Sequence, residues 1–180
     1  LRRVGISPAR GVYQIPDEVS YEHAAMVEPL SIAVHAASIT PHEIGDSAVV
    51  VGAGMIGLLL IQVLRTTGYG NILAVDIDDA KLKVASSLGA DFVVNSKNQE
   101  LRPVVDEMSS GRGTACAFDA VGVQASFDSA VRSVRRGGTV TVIGNIARTI
   151  EVPLQRIVTT QIRVQGSNAS AGEYPGCLEM

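Results

Sequence analysis

The sequence contains no tryptophan, and aromatic residues make up only 4% of it. Its two cysteines, Cys116 and Cys177, lack the C-x-x-C spacing of a local metal or redox pair, so we expect a reduced, cytoplasmic protein. No run of about 18 apolar residues could cross a bilayer, and the first residues do not resemble a signal peptide. The charged fraction of 18% and the net charge of −3 exclude a strongly basic surface, so we expect neither nucleic acid nor membrane as a partner.

Apolar residues, by contrast, make up 46% of the 180 residues, and 18 glycines cluster between the apolar runs. The length suits one domain. Short apolar runs, typical of strands covered on both faces, alternate with helical segments. The predicted strands are residues 48–51, 72–75, 92–94, 115–118, 139–143 and 161–165, and the predicted helices are residues 21–39, 55–64, 81–88, 101–108 and 126–134. This alternation predicts an α/β fold of the Rossmann type, a doubly wound six-stranded parallel sheet with helices on both faces.

Local signals refine the ends of these elements. Residues 1–20 read as extended and turn-rich, and Ser20 is expected to cap the first helix. Pro29 predicts a break or kink near Glu28, because proline removes a backbone donor and clashes with the preceding turn. The run Arg136-Gly137-Gly138 is expected to close the helix over residues 126–134.

A glycine-rich turn follows the first predicted strand, where Gly52-Ala53-Gly54-Met55-Ile56-Gly57 matches G-x-G-x-x-G. Gly52 would allow a sharp turn, Gly54 would let the backbone approach a pyrophosphate, and Gly57 would let the helix pack closely on the strand. The helix that opens at Met55 would direct free amides and a positive dipole end at the two phosphates. A plain strand–helix turn is the competing interpretation.

An acidic residue, Asp76, lies 19 positions after Gly57 (76 − 57), at the end of the second predicted strand. A carboxylate there could accept hydrogen bonds from both ribose hydroxyls of an adenosine and would repel a 2′-phosphate. Two unit charges about 4 Å apart interact by roughly 1 to 4 kcal/mol, which favours NAD over NADP at least tenfold. Lys81 could reach the same ribose. A helix-capping acid and a solvated lysine are the alternatives.

Two further strand ends meet the same edge of the predicted sheet. The first and fourth strands are expected to be neighbours where the strand order reverses, and ligands bind there. The loop over residues 119–122, which contains Val121, and the residues Ile143, Gly144 and Asn145 are therefore predicted to line the cofactor cleft. Ordinary strand-to-loop turns remain the alternative.

Taken together, these residues resemble the zinc-dependent medium-chain alcohol and polyol dehydrogenases, the sorbitol dehydrogenase group in particular. The order and spacing of several short blocks carry the resemblance. These blocks are Glu28-Pro29-Leu30-Ser31, Val34-His35-Ala36, residues 52–57, Asp76-Ile77-Asp78 with Lys81, Leu88-Gly89-Ala90-Asp91, and Arg136-Gly137-Gly138.

The resemblance implies hydride transfer between an alcohol and NAD, with a catalytic zinc that polarises the alcohol oxygen. It implies that Glu28 faces the zinc, as a ligand or through its water, and that the zinc lies in an N-terminal domain that largely precedes Leu1. The positions that match cofactor contacts are Ile56, Asp76, Lys81, Ile143, Gly144, Asn145, Ser167, Asn168 and Ala169. Residues 1–27 would then be a linker or remnant of the zinc domain, and residues 28–180 the NAD(H)-binding domain.

Two departures from the family matter. The N-terminal cysteine and histidine zinc ligands are missing, and Glu28 alone predicts no tightly bound zinc, because catalytic sites use about three protein ligands. The sorbitol-type Arg-Tyr pair is replaced by Ala169 and Ser170, which puts sorbitol in doubt as the substrate. The sixth strand is predicted to be a sheet edge, so we expect a homo-oligomer formed through it.

The rival interpretations are a zinc-free NAD(P)H quinone-type reductase domain and a non-catalytic NAD-binding module. A methyltransferase on a similar fold is a third possibility, although the last predicted strands do not suggest its antiparallel hairpin. The histidines His23, His35 and His42 are not spaced as a metal set and read as structural or surface residues.

Overall fold

A computed structural model describes residues 12–180, so residues 1–11 of the predicted extended segment lie outside the described part. Within that part the helices are α1 (Tyr21–Ser38), α2 (Met55–Thr66), α3 (Asp79–Ser87), α4 (Leu101–Ser109), α5 (Gln124–Ser133), α6 (Leu154–Thr160) and α7 (Tyr174–Glu179). The strands are β1 (Ala48–Val51), β2 (Ile72–Asp76), β3 (Phe92–Asn95), β4 (Thr114–Asp119), β5 (Val134–Val142) and β6 (Arg163–Gly166). None of these helices combines the length and apolarity that a membrane crossing requires.

The six strands form one sheet in the order β3-β2-β1-β4-β5-β6, and every pair is parallel. β1 lies between β2 and β4, with Val50 opposite Ala74 and Phe118. This confirms the predicted Rossmann fold and the reversal of strand order between β1 and β4. The continuous apolar runs arise because the central strands are buried on both faces.

Two hydrophobic clusters pack on opposite faces of the sheet. Helices α1 and α2 cover one face, where Ala33, Leu60 and Phe118 are fully buried. Helices α4 and α5 cover the other, where Val105 and Phe127 are buried. Burying a side chain such as leucine or phenylalanine stabilises the fold by about 1.5–3 kcal/mol, so these layers contribute much of the stability of the sheet.

Helix α1 begins as predicted, since the Ser20 hydroxyl accepts a hydrogen bond of 3.2 Å from the amide of His23. The break predicted near Glu28 is wrong, because α1 continues through Pro29 to Ser38. The carbonyl that loses its donor belongs to Ala25, four residues earlier, and Ala25 is exposed, so water can replace the missing amide.

The second half of the sheet differs from the prediction in its details. No loop separates α5 from β5, so Arg136-Gly137-Gly138 lies inside the strand instead of closing the helix. Gly137 has a φ of 72°, and the pairing of β5 with β4 is irregular near there. Gln161, predicted to begin the sixth strand, ends α6 in a left-handed conformation, and β6 begins only at Arg163. The short helices α6 and α7 were not predicted.

Candidate cofactor-binding site

The glycine-rich turn between β1 and α2 is closed by contacts that tolerate no side chain. Gly52 has a φ of 101°, a conformation that glycine adopts readily. A Cβ on Gly57 would lie 1.8 Å from the carbonyl oxygen of Gly52, so only glycine lets α2 pack against the end of β1. These are the geometric roles that the motif predicts for its first and third glycines.

The N-terminus of α2 is open. A Cβ on Gly54 would meet nothing within 4 Å, and among residues 12–180 no side chain caps this helix end. The first amides of a helix have no partner within the helix, and the dipole adds a partial positive charge there. The turn can therefore accept an anion against its backbone.

Asp76 ends β2 beside this turn. Its Oδ2 accepts a hydrogen bond of 2.7 Å from the amide of Ala53, in the middle of the glycine motif. Its Oδ1 accepts from the amides of Ile77 at 2.7 Å and Asp78 at 3.0 Å. The carboxylate is thus fixed toward the glycine turn. A carboxylate can accept about four hydrogen bonds, so one acceptor position is left for a ligand.

Lys81 is brought to the same place. It lines a cavity of about 420 Å³ together with Gly54 and Met55, and the rest of the wall is largely apolar. Met26 of α1 also lines this cavity. The cavity puts one cationic side chain beside the glycine turn and an apolar surface next to it, which suits a nucleotide with phosphates and an aromatic base.

The ends of β4 and β5 touch each other and the glycine turn. A Cβ on Gly144 would lie 2.2 Å from the carbonyl carbon of Val121, and one on Gly122 would lie 2.1 Å from the backbone of Gly144. A Cβ on Gly52 would lie 2.6 Å from Cγ2 of Val121. Val121 therefore joins three strand ends, and Ile143 continues this edge with its side chain against the core under α1.

Asp119 begins the loop over residues 119–122 that the sequence predicts at the cleft, but its side chain had no predicted role. It ends β4 and has 0% exposure, and its Oδ1 accepts hydrogen bonds of 2.9 Å from the amides of Val121 and Gly122. An acidic residue directly after an apolar strand and three positions before a glycine was the available signal.

The segment after β6 contains Ser167, Asn168 and Ala169. The Ser167 amide donates to the carbonyl of Val142 at 2.8 Å, which ties it to the end of β5 beside Ile143. Asn168 and Ala169 are exposed, and Ala169 has a φ of 52°, a left-handed conformation that is unfavourable for alanine. The structure thus gathers two groups at the carboxyl edge of the sheet, one around Gly54, Asp76 and Lys81, and one around residues 121, 143–145 and 167–169.

Glu28 is exposed on α1 and has no metal-binding partners in the described part of the chain. No group of three or more histidine, cysteine, aspartate or glutamate side chains there could hold a metal ion. Residues 12–180 by themselves therefore do not form a zinc site. His35 pairs with Glu173 at 2.7 Å, which agrees with the prediction that this histidine has a structural role. The ring of His42 stacks on Tyr69 with the centroids 4.4 Å apart.

Cys116 is an inert core residue. It is 1% exposed in the middle of β4, and burial raises the pKa of its thiol to about 11. A thiol with so high a pKa is protonated at neutral pH and is a poor nucleophile. This agrees with the sequence interpretation of a small packing residue.

Comparison with known proteins agrees with this geometry. Residues 56–180 match the zinc-binding dehydrogenase family. The chain is 32% identical over 170 residues to sorbitol dehydrogenase of Bacillus subtilis, covering 93% of this chain and 48% of that protein. It is 32% identical over 181 residues to L-idonate 5-dehydrogenase of Vitis vinifera, covering 97% of this chain and 49% of that protein. The chain belongs to the zinc-binding dehydrogenase family, as its motifs predicted.

Solved structures give the same result. A 2R,3R-butanediol dehydrogenase from Bacillus subtilis is 31% identical with a TM-score of 0.84, over 93% of this chain and 48% of that one. A short chain alcohol dehydrogenase from Escherichia coli CFT073, complexed with NADH, is 26% identical with a TM-score of 0.88, over 96% of this chain and 51% of that one. The chain spans about half the length of the relatives it matches, so it corresponds to one part of such enzymes.

Proposed function

We propose that this chain is the NAD(H)-binding part of an oxidoreductase that transfers hydride between NAD and the CH–OH group of an alcohol or polyol. The single observation that carries the proposal is the Asp76 carboxylate, hydrogen-bonded to Ala53 beside the open N-terminus of α2. The amides of the turn from Gly54 to Gly57 would hold the pyrophosphate, and Asp76 would accept from the adenosine ribose. Lys81 would add a positive charge next to them.

The nicotinamide would lie at the other group of strand ends, against Val121, Ile143, Gly144 and Asn145, with residues 167–169 beyond them. NAD, when bound, supplies the carbon that accepts or donates hydride. The chain's own residues orient it and exclude water from its inner face. The residues that hold the catalytic zinc would have to lie outside this chain, and Glu28 would face the zinc.

The substrate class follows from the relatives, whose names include sorbitol, L-idonate and 2R,3R-butanediol. By the family resemblance, Ala169 and Ser170 correspond to the arginine and tyrosine of sorbitol-type enzymes. Neither small side chain can reach several hydroxyls of a long polyol, so we propose an alcohol or polyol other than sorbitol. The division into residues 1–27 and 28–180 is likewise a proposal, and its boundary falls inside α1.

The test is cofactor binding by the protein expressed from its complete coding sequence, titrated with NADH and with NADPH. We expect tighter binding of NADH by at least tenfold, because Asp76 repels a 2′-phosphate. In Asp76→Asn the charge is lost and an acceptor oxygen stays, so the preference for NADH should fall at least tenfold.

Asp79→Asn is the matched control, since it makes the same change of charge three residues later, at the start of α3. Its preference should stay within about twofold of the wild type. Equal binding of NADH and NADPH by the wild type would refute the cofactor assignment, and no binding of either would refute the proposed function.

We also propose a homo-oligomer formed through β6. This strand is an edge of the sheet, and its Val164 is 44% exposed. An unpaired strand edge with apolar side chains favours pairing with another chain. Four more exposed apolar side chains lie shortly before it, namely Ile146, Val152, Leu154 and Val158.

A further inference from the structure

The buried position of Asp119 is energetically unfavourable for a carboxyl group. The residue has 0% exposure, and only one of its two carboxyl oxygens has hydrogen-bond partners in the described part of the chain. Oδ1 accepts from Val121 and Gly122, while Oδ2 has no partner among residues 12–180. Burying a carboxyl group with incomplete hydrogen bonding costs stability, so its presence requires a compensating role.

The backbone of Asp119 fixes the neighbouring strand as well. Its carbonyl oxygen accepts hydrogen bonds of 2.9 Å from the amides of both Ile143 and Gly144. One residue therefore orders four amides: two in the turn after β4 through its side chain, and two at the end of β5 through its main chain. These are the two strand ends to which we assign the nicotinamide half of the cofactor.

The turn after β4, which the Asp119 carboxylate holds, also contacts the glycine-rich turn that would bind the phosphates. Val121 contacts Gly52, where a Cβ would lie 2.6 Å from Val121 Cγ2, and Gly122 lies directly against Gly144. Such backbone contacts leave no space to absorb a shift, because protein interiors are close-packed. Any movement of the turn would therefore change the distance between the glycine turn and Ile143.

We propose that Asp119 is a positioning residue for the cofactor: it fixes the spacing between the phosphate-binding turn and the nicotinamide-binding edge by holding the amides of Val121 and Gly122. The inference rests on the proposed function. Asp119 does not touch the cofactor; it acts through the turn. The adenosine ribose would bind through Asp76 on β2, on the far side of β1 from this turn, so AMP binding should change less than NADH binding.

The experiment compares NADH with 5′-AMP, which ends before the nicotinamide ribose, in the protein expressed from its complete coding sequence. Asp119→Leu has a similar shape and no acceptor, so the ratio of the NADH to the AMP dissociation constant should rise at least tenfold. Asp119→Asn keeps one acceptor oxygen for both amides, and its NH2 replaces an oxygen that receives no hydrogen bond. Its ratio should stay within about threefold of the wild type.

Thr114→Val is the matched control for lost stability. Thr114 is equally buried at the opposite end of β4, where its hydroxyl donates to the carbonyls of Cys116 and Ser133. The ratio should not change in this variant. If Asp119→Leu does not fold, Asp119→Ser, whose hydroxyl can accept from one of the two amides, should give an intermediate rise.

The outcomes separate the two proposals. A wild-type protein that does not bind NADH refutes the proposed function. A wild type that binds NADH, with an unchanged ratio in Asp119→Leu or in its serine substitute, refutes the positioning role alone. An Asp119→Asn variant as impaired as Asp119→Leu would also overturn it, because charge and not the acceptor would then be responsible.

Discussion

At the scale of single residues, the glycines of this chain carry the strictest geometric requirements. The roles of Gly52 and Gly57 could be predicted from the sequence, because their spacing and position after a strand define them. The role of Gly144 could not, since its requirement comes from Val121, which is 23 positions earlier in the chain (144 − 121). The role of Asp119 could not be predicted either, because it depends on hydrogen bonds between the ends of β4 and β5, which are far apart in the sequence.

We expect Gly144→Ala to destabilise the protein, because its Cβ would lie 2.2 Å from the backbone of Val121 and the β4 and β5 ends would have to separate. Overpacking of this kind costs about 1–3 kcal/mol. Urea unfolding without cofactor measures it. Gly166→Ala, at the end of the neighbouring β6, is the control, because a Cβ there meets nothing within 4 Å. Equal effects of the two substitutions would contradict the close approach of the strand ends.

At the scale of elements, α1 and α7 are joined by a pair of titratable side chains. His35 of α1 and Glu173, just before α7, lie 2.7 Å apart and are both about 15% exposed. Burial alone would raise the pKa of the Glu173 carboxyl, but hydrogen bonds from His35 and from the amide of Ala171 outweigh it and hold that pKa below its ordinary value of 4.5. The pair ties the segment around residues 167–171 to the helix that carries Glu28.

A lowered carboxyl pKa makes stability depend on pH in one direction. The stabilisation by Glu173 is fully present above pH 4.5 and is lost as the pH falls from there through the lower folded-state pKa. We expect the difference in unfolding free energy between wild type and Glu173→Gln to shrink as the pH falls below 4.5. Glu100→Gln, an exposed site, is the control. A difference that grows as the pH falls below 4.5 would be inconsistent with the lowered carboxyl pKa.

The elements themselves were predictable to different degrees. Strands β1 to β4 and helices α2 to α5 follow from apolar runs and glycine positions, because parallel strands buried on both faces leave a continuous apolar pattern. Helices α6 and α7 have seven and six residues, too few for a helical period to stand out. The start of β5 was missed because α5 passes into it with no loop to mark the change.

At the scale of the whole molecule, the sheet has two edges, β3 and β6. We expect Val164→Lys on β6 to dissociate the proposed oligomer, because a lysine on an edge strand opposes pairing with another strand. Size-exclusion chromatography with light scattering measures the mass. Val93→Lys makes the same change on β3, where Val93 is 38% exposed, and should leave the mass unchanged. Dissociation by Val93→Lys alone would assign the interface to the opposite edge.

The hydrogen bond between Asp76 and the Ala53 amide has a consequence for anyone who wishes to redesign the coenzyme preference of such an enzyme. The Asp76 side chain, which would select against a phosphorylated ribose, also anchors the glycine-rich turn that would bind the diphosphate. Swapping it for glycine or alanine to admit NADP would leave that loop amide without a partner and weaken both coenzymes together. A successful redesign needs a replacement, such as serine or asparagine, that gives up the negative charge and still accepts from Ala53.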